Sequence, residues 1–168
     1  MAKVRRVRKT AKLTAARPQR SLRRPRKAAR RRAAVPRKRP NGPRRQRFVA
    51  NHPEPGAFKE GLRAYAQYRD LSIAEATNGL AVAHVIKMIP PCDPAVVSKR
   101  HYHDVEFQMI YVLKGWIKGE YAGEIVTMRE GSCWLQPPRI KHAVLDYSDD
   151  CELLEIVLPA DFQTVELE

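Results

Sequence analysis

A chain of 168 residues with 32 Lys and Arg against 18 Asp and Glu has room for one domain plus a tail, since domains commonly run to roughly 100–150 residues. Its three cysteines (Cys92, Cys133 and Cys151) are widely spaced and form no CxxC pair, which argues against a disulfide framework and fits a reducing cytosol. No apolar run approaches the roughly 20 residues that span a bilayer, and the basic N-terminus lacks the apolar core of a signal peptide, so a cytoplasmic chain without a membrane partner is expected.

The charge is unevenly spread. Residues 1–47 hold 21 of the 32 bases and none of the 18 acids, so the remainder sets 11 bases against 18 acids, a net of −7. The organisation expected is a basic arm and linker over 1–57 and a domain over 58–168. The arm is built from Arg, Lys, Ala and Pro. It buries too little apolar surface to offset its ordering entropy and its charges repel, which predicts disorder with at most a transient helix near 28–34. Its clusters at Arg23–Lys27, Arg30–Arg32 and Arg37–Arg39 suit non-specific contact with nucleic acid through counterion release. No aromatic residue precedes Phe48, so base stacking is not on offer, and so Pro-rich a segment holds no helix-turn-helix. The arm also reads as a nuclear signal or, over its first 16 residues, as a transit peptide. A third reading places the true start further in, at a non-ATG codon, because the next methionine is Met88.

Pro53 to Gly56 reads as linker. Phe58, Leu62 and Tyr65 then predict a short helix or an N-terminal arm that packs on the barrel. Leu80, Val82, His84, Ile86 and Met88 alternate as a strand does. Ile110–Leu113 is an aromatic and branched run that stops at Gly115. Trp116–Tyr121 and Glu124–Met128 flank a hairpin turn at Ala122 and Gly123, and Cys133–Gln136, Ile140–Asp146 and Cys151–Leu158 come after them. Short strands at this spacing with little helix predict an all-β antiparallel sandwich or barrel.

His101 and His103 stand at i and i+2, so on a strand their imidazoles share one face and can meet one ion. His142 lies in a strand whose alternation also carries Ile140, Val144 and Asp146. The order His101-Tyr102-His103, four residues, Gln108, six residues, Gly115, and then Gly131, five residues, Pro137, Pro138, Arg139, two residues, His142 resembles the two motifs of the cupin superfamily, in its small single-domain form, over about 95 residues. Two positions depart from the family pattern. Gln108 replaces the usual glutamate ligand, and Arg139 replaces a glycine, which requires a backbone there that avoids positive φ.

The resemblance implies a double-stranded β-helix, the jelly-roll cupin barrel, with a metal held by His101, His103, His142 and Gln108. Three imidazoles and an amide leave a divalent transition ion at formal +2, which attracts a small anionic oxygen donor. Iron(II) with dioxygenase-type chemistry comes first, ahead of isomerase or lyase chemistry. Imidazole ligands also admit zinc, nickel, manganese or copper. Glu106 and His84 are the candidate proton-transfer residues, although Glu106 reads equally as solvated or as paired with Arg100, and His84 as a core histidine. Glu155, which interrupts the apolar face of Cys151, Leu153 and Val157, is a weaker candidate of the same kind. Cys133 reads as core, Tyr111, Trp116 and Trp134 as packing or dimer contacts, and His52 as linker. The alternative function is a non-catalytic cupin that binds or senses a small ligand. Exposed sheet edges make a homodimer the expected assembly.

Overall fold

The computed structural model of the chain describes residues 45–167. The expectations for residues 1–44, disorder and nucleic-acid contact among them, lie outside the described residues. Eleven strands and two helical turns are present among the described residues: β1 (Lys59–Glu60), β2 (Ala66–Asp70), α1 (Ile73–Ala76), β3 (Val82–Met88), α2 (Pro94–Val97), β4 (His101–Asp104), β5 (Phe107–Lys114), β6 (Trp116–Tyr121), β7 (Glu124–Arg129), β8 (Cys133–Leu135), β9 (His142–Tyr147), β10 (Glu152–Leu158) and β11 (Gln163–Glu166). They form two antiparallel sheets, one in the order β1-β2-β3-β10-β5-β8 and the other β11-β4-β9-β6-β7.

Local chemistry explains several of these elements. The β6–β7 hairpin turns through Ala122 (φ 53°) and Gly123 (φ 98°), both left-handed, as a two-residue turn of the type that matches strand twist requires. Gly115 (φ 68°) ends β5, and a Cβ there would stand 2.2 Å from Ser148 Oγ. Asp93 caps α2 by accepting from the Ala95 N–H at 3.0 Å, with Pro94 at the first helical position, where its missing N–H costs nothing. Ile86, Met88, Ile110, Val112, Ile117, Met128, Tyr147 and Leu153 form the core and come from both sheets. Each such side chain contributes roughly 1.5–3 kcal/mol by leaving water.

The structure corrects four readings. The segment over 58–68 is not a helix: Lys59 and Glu60 pair with Tyr68 and Gln67, so it extends the first sheet, and Tyr65 and Tyr68 pack against the core as the packed arm would. Two residues of strand are too few to show alternation in a sequence. Cys133 is exposed rather than core. Arg100 is paired with Glu120, not Glu106. Arg139 does take positive φ, at 62°, a conformation that costs a non-glycine residue about 1–2 kcal/mol. The loop is held in that shape at both ends of the residue. The Arg139 N–H donates to the His103 carbonyl at 3.1 Å, and its Nε donates to Asp104 Oδ1 at 2.9 Å.

Candidate functional site

The five-stranded sheet brings the three histidines together. His101 on β4 and His142 on β9 are direct cross-strand partners, and His103 follows two residues on, on the same face of β4. All three are buried, and one ring nitrogen from each lies within 4.8 Å of the others. Each Nδ1 is engaged: His101 with the Lys99 carbonyl at 2.8 Å, His142 with the Ile140 carbonyl at 2.9 Å, and His103 with Thr164 Oγ1 on β11 at 2.8 Å. Against the two carbonyls Nδ1 must donate, which leaves Nε2 with its lone pair. Burial pushes the pKa of His101 down to about 4 and that of His103 to about 3, the latter helped by its two neighbours, and burial lowers His142 as well. Neutral imidazoles with the second nitrogen pinned are what a ligated metal requires, so the donor set fits a divalent cation.

The six-stranded sheet supplies a polar wall opposite. Trp134 Nε1 donates to Gln136 Oε1 at 3.3 Å, Gln136 Nε2 to Gln108 Oε1 at 3.1 Å, and Gln108 Nε2 to Glu155 Oε1 at 2.8 Å. An indole can only donate and a carboxylate can only accept, so the ends of this chain fix the orientation of both amides between them. Gln136 Nε2 also lies 3.2 Å from His142 Nε2 and donates to its lone pair. Between the sheets these groups border a cavity of about 100 Å³ whose remaining walls are largely apolar, Ile110, Ile117 and Leu153 among them. Tyr121 closes one side, its ring stacked on His142 with centroids 5.7 Å apart and 9° between planes.

A family profile for the cupin domain matches residues 92–157, which span both histidine-bearing strands. This chain carries a cupin domain. No curated protein matches its sequence. Among solved structures, the polyketide cyclase RemF from Streptomyces resistomycificus is similar at 14% identity and a TM-score of 0.57, over 72% of this chain and 87% of that one. FeII HppE is similar at 16% identity and a TM-score of 0.53, over 66% and 60%. Salicylate 1,2-dioxygenase from Pseudoaminobacter salicylatoxidans is similar at 8% identity and a TM-score of 0.52, over 64% of this chain but only 30% of the dioxygenase. At these identities the likeness is one of fold.

Within the cupin domain the remaining sequence candidates fall unequally. Gln108 is buried in the wall. Glu106 is exposed, in the bend between β4 and β5, and does not border the cavity. The bend breaks the alternation that would have given it the same parity as Gln108. Val105 is buried in its stead. His84 on β3 lies beside Glu155 as its cross-strand partner, with Nδ1 3.9 Å from Glu155 Oε2, and faces a second cavity of about 530 Å³. That second cavity also has His52 in its wall and shares Glu155 and Tyr68 with the first.

Sequence reasoning missed four contributors. Trp134, read as packing, and Gln136, inside the second motif's loop, belong to the polar wall. Thr164 lies on a strand with too little apolar alternation to be recognised. Arg63 lines the histidine cavity from the turn before β2. Only the position of Gln136, five residues after Gly131 and next to Pro137, carried a signal, because that loop delivers His142. No helix among the described residues is long and apolar enough to cross a membrane.

Proposed function

We propose that this chain is a metal-dependent cupin, its sheets closing as a jelly-roll barrel, that acts on a small anionic organic molecule, with dioxygenase-type chemistry ahead of isomerase or lyase chemistry. The observation that supports it most is the meeting of three buried, neutral imidazoles whose Nδ1 atoms are all engaged. His101, His103 and His142 would hold a divalent transition metal, iron(II) first and zinc, nickel, manganese or copper behind it. Gln108 would be a fourth ligand through the free lone pair of Oε1, or would orient the substrate. The bound ion supplies Lewis-acid polarisation of an oxygen and, with iron, redox access to dioxygen.

The chain's own residues do the rest. The apolar walls exclude water and strengthen every charge interaction inside. Among the described residues Glu155 is the one carboxylate bordering the histidine cavity, and it takes the general-base role that the sequence offered to Glu106. It accepts a proton from the substrate while the Gln108 amide holds its Oε1. His84, 3.9 Å away on the far side, receives that proton after a small rotation and releases it to the second cavity. We also propose a homodimer, supported by the exposed Leu135 on edge strand β8 and Ile125 on edge strand β7.

The test is the metal content of the full chain, purified without a histidine tag under anaerobic, metal-replete conditions, beside a His101→Ala/His142→Ala control. Iron near one equivalent, absent from the control, with oxygen consumption on enolisable or aromatic acids, is the expected result. Another retained metal keeps the enzyme but directs the search to isomerase or lyase chemistry. No metal in a folded wild type overturns the site and favours the non-catalytic ligand-binding cupin.

A further inference from the structure

Arg63 holds an unusual position. Its side chain is 13% exposed, and Nη1 donates to Glu166 Oε1 at 3.0 Å, a carboxylate that is itself 60% exposed. Nη2 is buried and has no hydrogen-bond partner, and no other buried side-chain nitrogen or oxygen among the described residues is left so. A buried donor on a charged group is costly to leave unsatisfied, and native structures seldom keep one without a reason. Arg63 borders the histidine cavity.

No other permanently cationic side chain borders this cavity among the described residues. Glu155 stands on the same cavity, and it is already the acceptor of the Gln108 amide. A neutral oxygen acceptor would satisfy the Nη2 donor but leave the guanidinium charge uncompensated there. An anionic oxygen would satisfy it with a charge-assisted bond in a site largely shielded from water.

We propose that Arg63 is the substrate anchor of this cupin, and that Nη2 binds the carboxylate of a small organic acid whose second oxygen function faces the three histidines. The proposal rests on the reading of the histidine cavity as a small-molecule site and narrows its ligand to a carboxylic acid. Carboxylate is favoured over a phosphoryl group because Nη1 is already committed to Glu166. One nitrogen remains to satisfy, too few donors for a dianion in a cavity of about 100 Å³.

The experiment is calorimetric titration of the full-length chain, with and without one equivalent of Zn²⁺, using acetate, benzoate and salicylate, each beside its neutral amide, and inorganic phosphate. Wild type, Arg63→Met and Arg63→Lys are compared, with melting curves as the check on folding. At least one acid should bind wild type about tenfold or more tightly than its amide and tighter than phosphate. Arg63→Met should lose that preference, and Arg63→Lys should keep part of it. Zn²⁺ should still bind all three proteins, because Arg63 is not a ligand. In the absence of any ligand Arg63→Met should melt no lower than Glu166→Gln, because it removes the orphaned donor together with the ion pair.

Equal binding of acids and amides, equal affinity in Arg63→Met, or no acid bound by wild type overturns the anchor. A stronger response to phosphate overturns the carboxylate assignment. Failure of Zn²⁺ to bind wild type while acids still distinguish Arg63→Met would sink the metal reading and leave the anchor standing.

Discussion

The Gln108 amide donates to the Glu155 carboxylate at 2.8 Å, so the residue at the family's glutamate position is tied to an acid on the neighbouring strand. Val157 on β10 stands opposite Gln108 on β5, which places Glu155 two residues further along the same face. The negative charge that the first motif omits therefore sits one hydrogen bond behind it.

Gln108→Glu tests that arrangement. The substitution replaces a donor with an acceptor beside Glu155 and sets two carboxylates together. The metal-free protein should lose about 1–3 kcal/mol. Divalent metal should bind roughly tenfold or more tightly, because a neutral ligand position gains a charge. Melting with chelator and competitive metal titration read the two effects. A variant no less stable without metal would show that the bond to Glu155 does not hold this wall.

Metal should stabilise the wild type and not the histidine variants. A ligand present at a hundredfold excess over its Kd adds about 2.7 kcal/mol to the folded state. Melting points with Zn²⁺ and with chelator should therefore separate by several degrees in wild type and coincide in His101→Ala/His142→Ala. Thr164→Val, which removes the partner of His103 Nδ1, should fall between them, with affinity roughly 10- to 100-fold weaker.

The chain of hydrogen bonds was only partly legible in the sequence. His101 and His103 could be read as one face because a strand alternates strictly, and His142 because its loop is built from Gly131, Pro137 and Pro138. Glu155 and Gln108 are 47 residues apart, and only the pairing of β10 with β5 joins them. Arg63 was beyond reach for the same reason, since it precedes β2 in a turn and only the fold carries it to the histidine cavity. The bend at Glu106 leaves no mark in the sequence, where Glu106 simply stands two residues before Gln108 and so at the same strand parity. Gln163–Glu166 shows too little apolar alternation to stand out from loop, although it pairs with β4 throughout.

The buried histidines set the acid response of the metal-free protein. Their folded pKa values lie below the ordinary histidine value of about 6.5, His101 at about 4 and His103 at about 3. Between those values and 6.5 the unfolded chain binds more protons than the folded one, so stability falls as pH drops through that window. Denaturant melts at pH 7, 5.5 and 4.5 should show a steeper decline for wild type than for His101→Gln/His103→Gln. A flat profile would show that the folded rings titrate as they do in the unfolded chain.

Arg139 offers a test of backbone strain that is independent of any ligand. Arg139→Gly and Arg139→Ala both remove the pair with Asp104, and they differ only in whether a Cβ must endure φ of 62°. The glycine variant should be more stable than the alanine variant by about 1 kcal/mol. Equal stability would mean that the loop relaxes once the arginine is gone.

The one-way run of donors from Trp134 to Glu155 has a consequence for how ligands are chosen. An amide wall can usually adapt by turning a glutamine over, but here the indole at one end cannot accept and the carboxylate at the other cannot donate. The wall is a template set before any visitor arrives, with the Gln136 amide already given to Gln108 and His142 and the Glu155 carboxylate as its accepting end. A molecule that suits this polarity meets a surface that need not rearrange, so little entropy is lost on its arrival. One with the opposite polarity must break a buried hydrogen bond, which favours one sense of entry over the other.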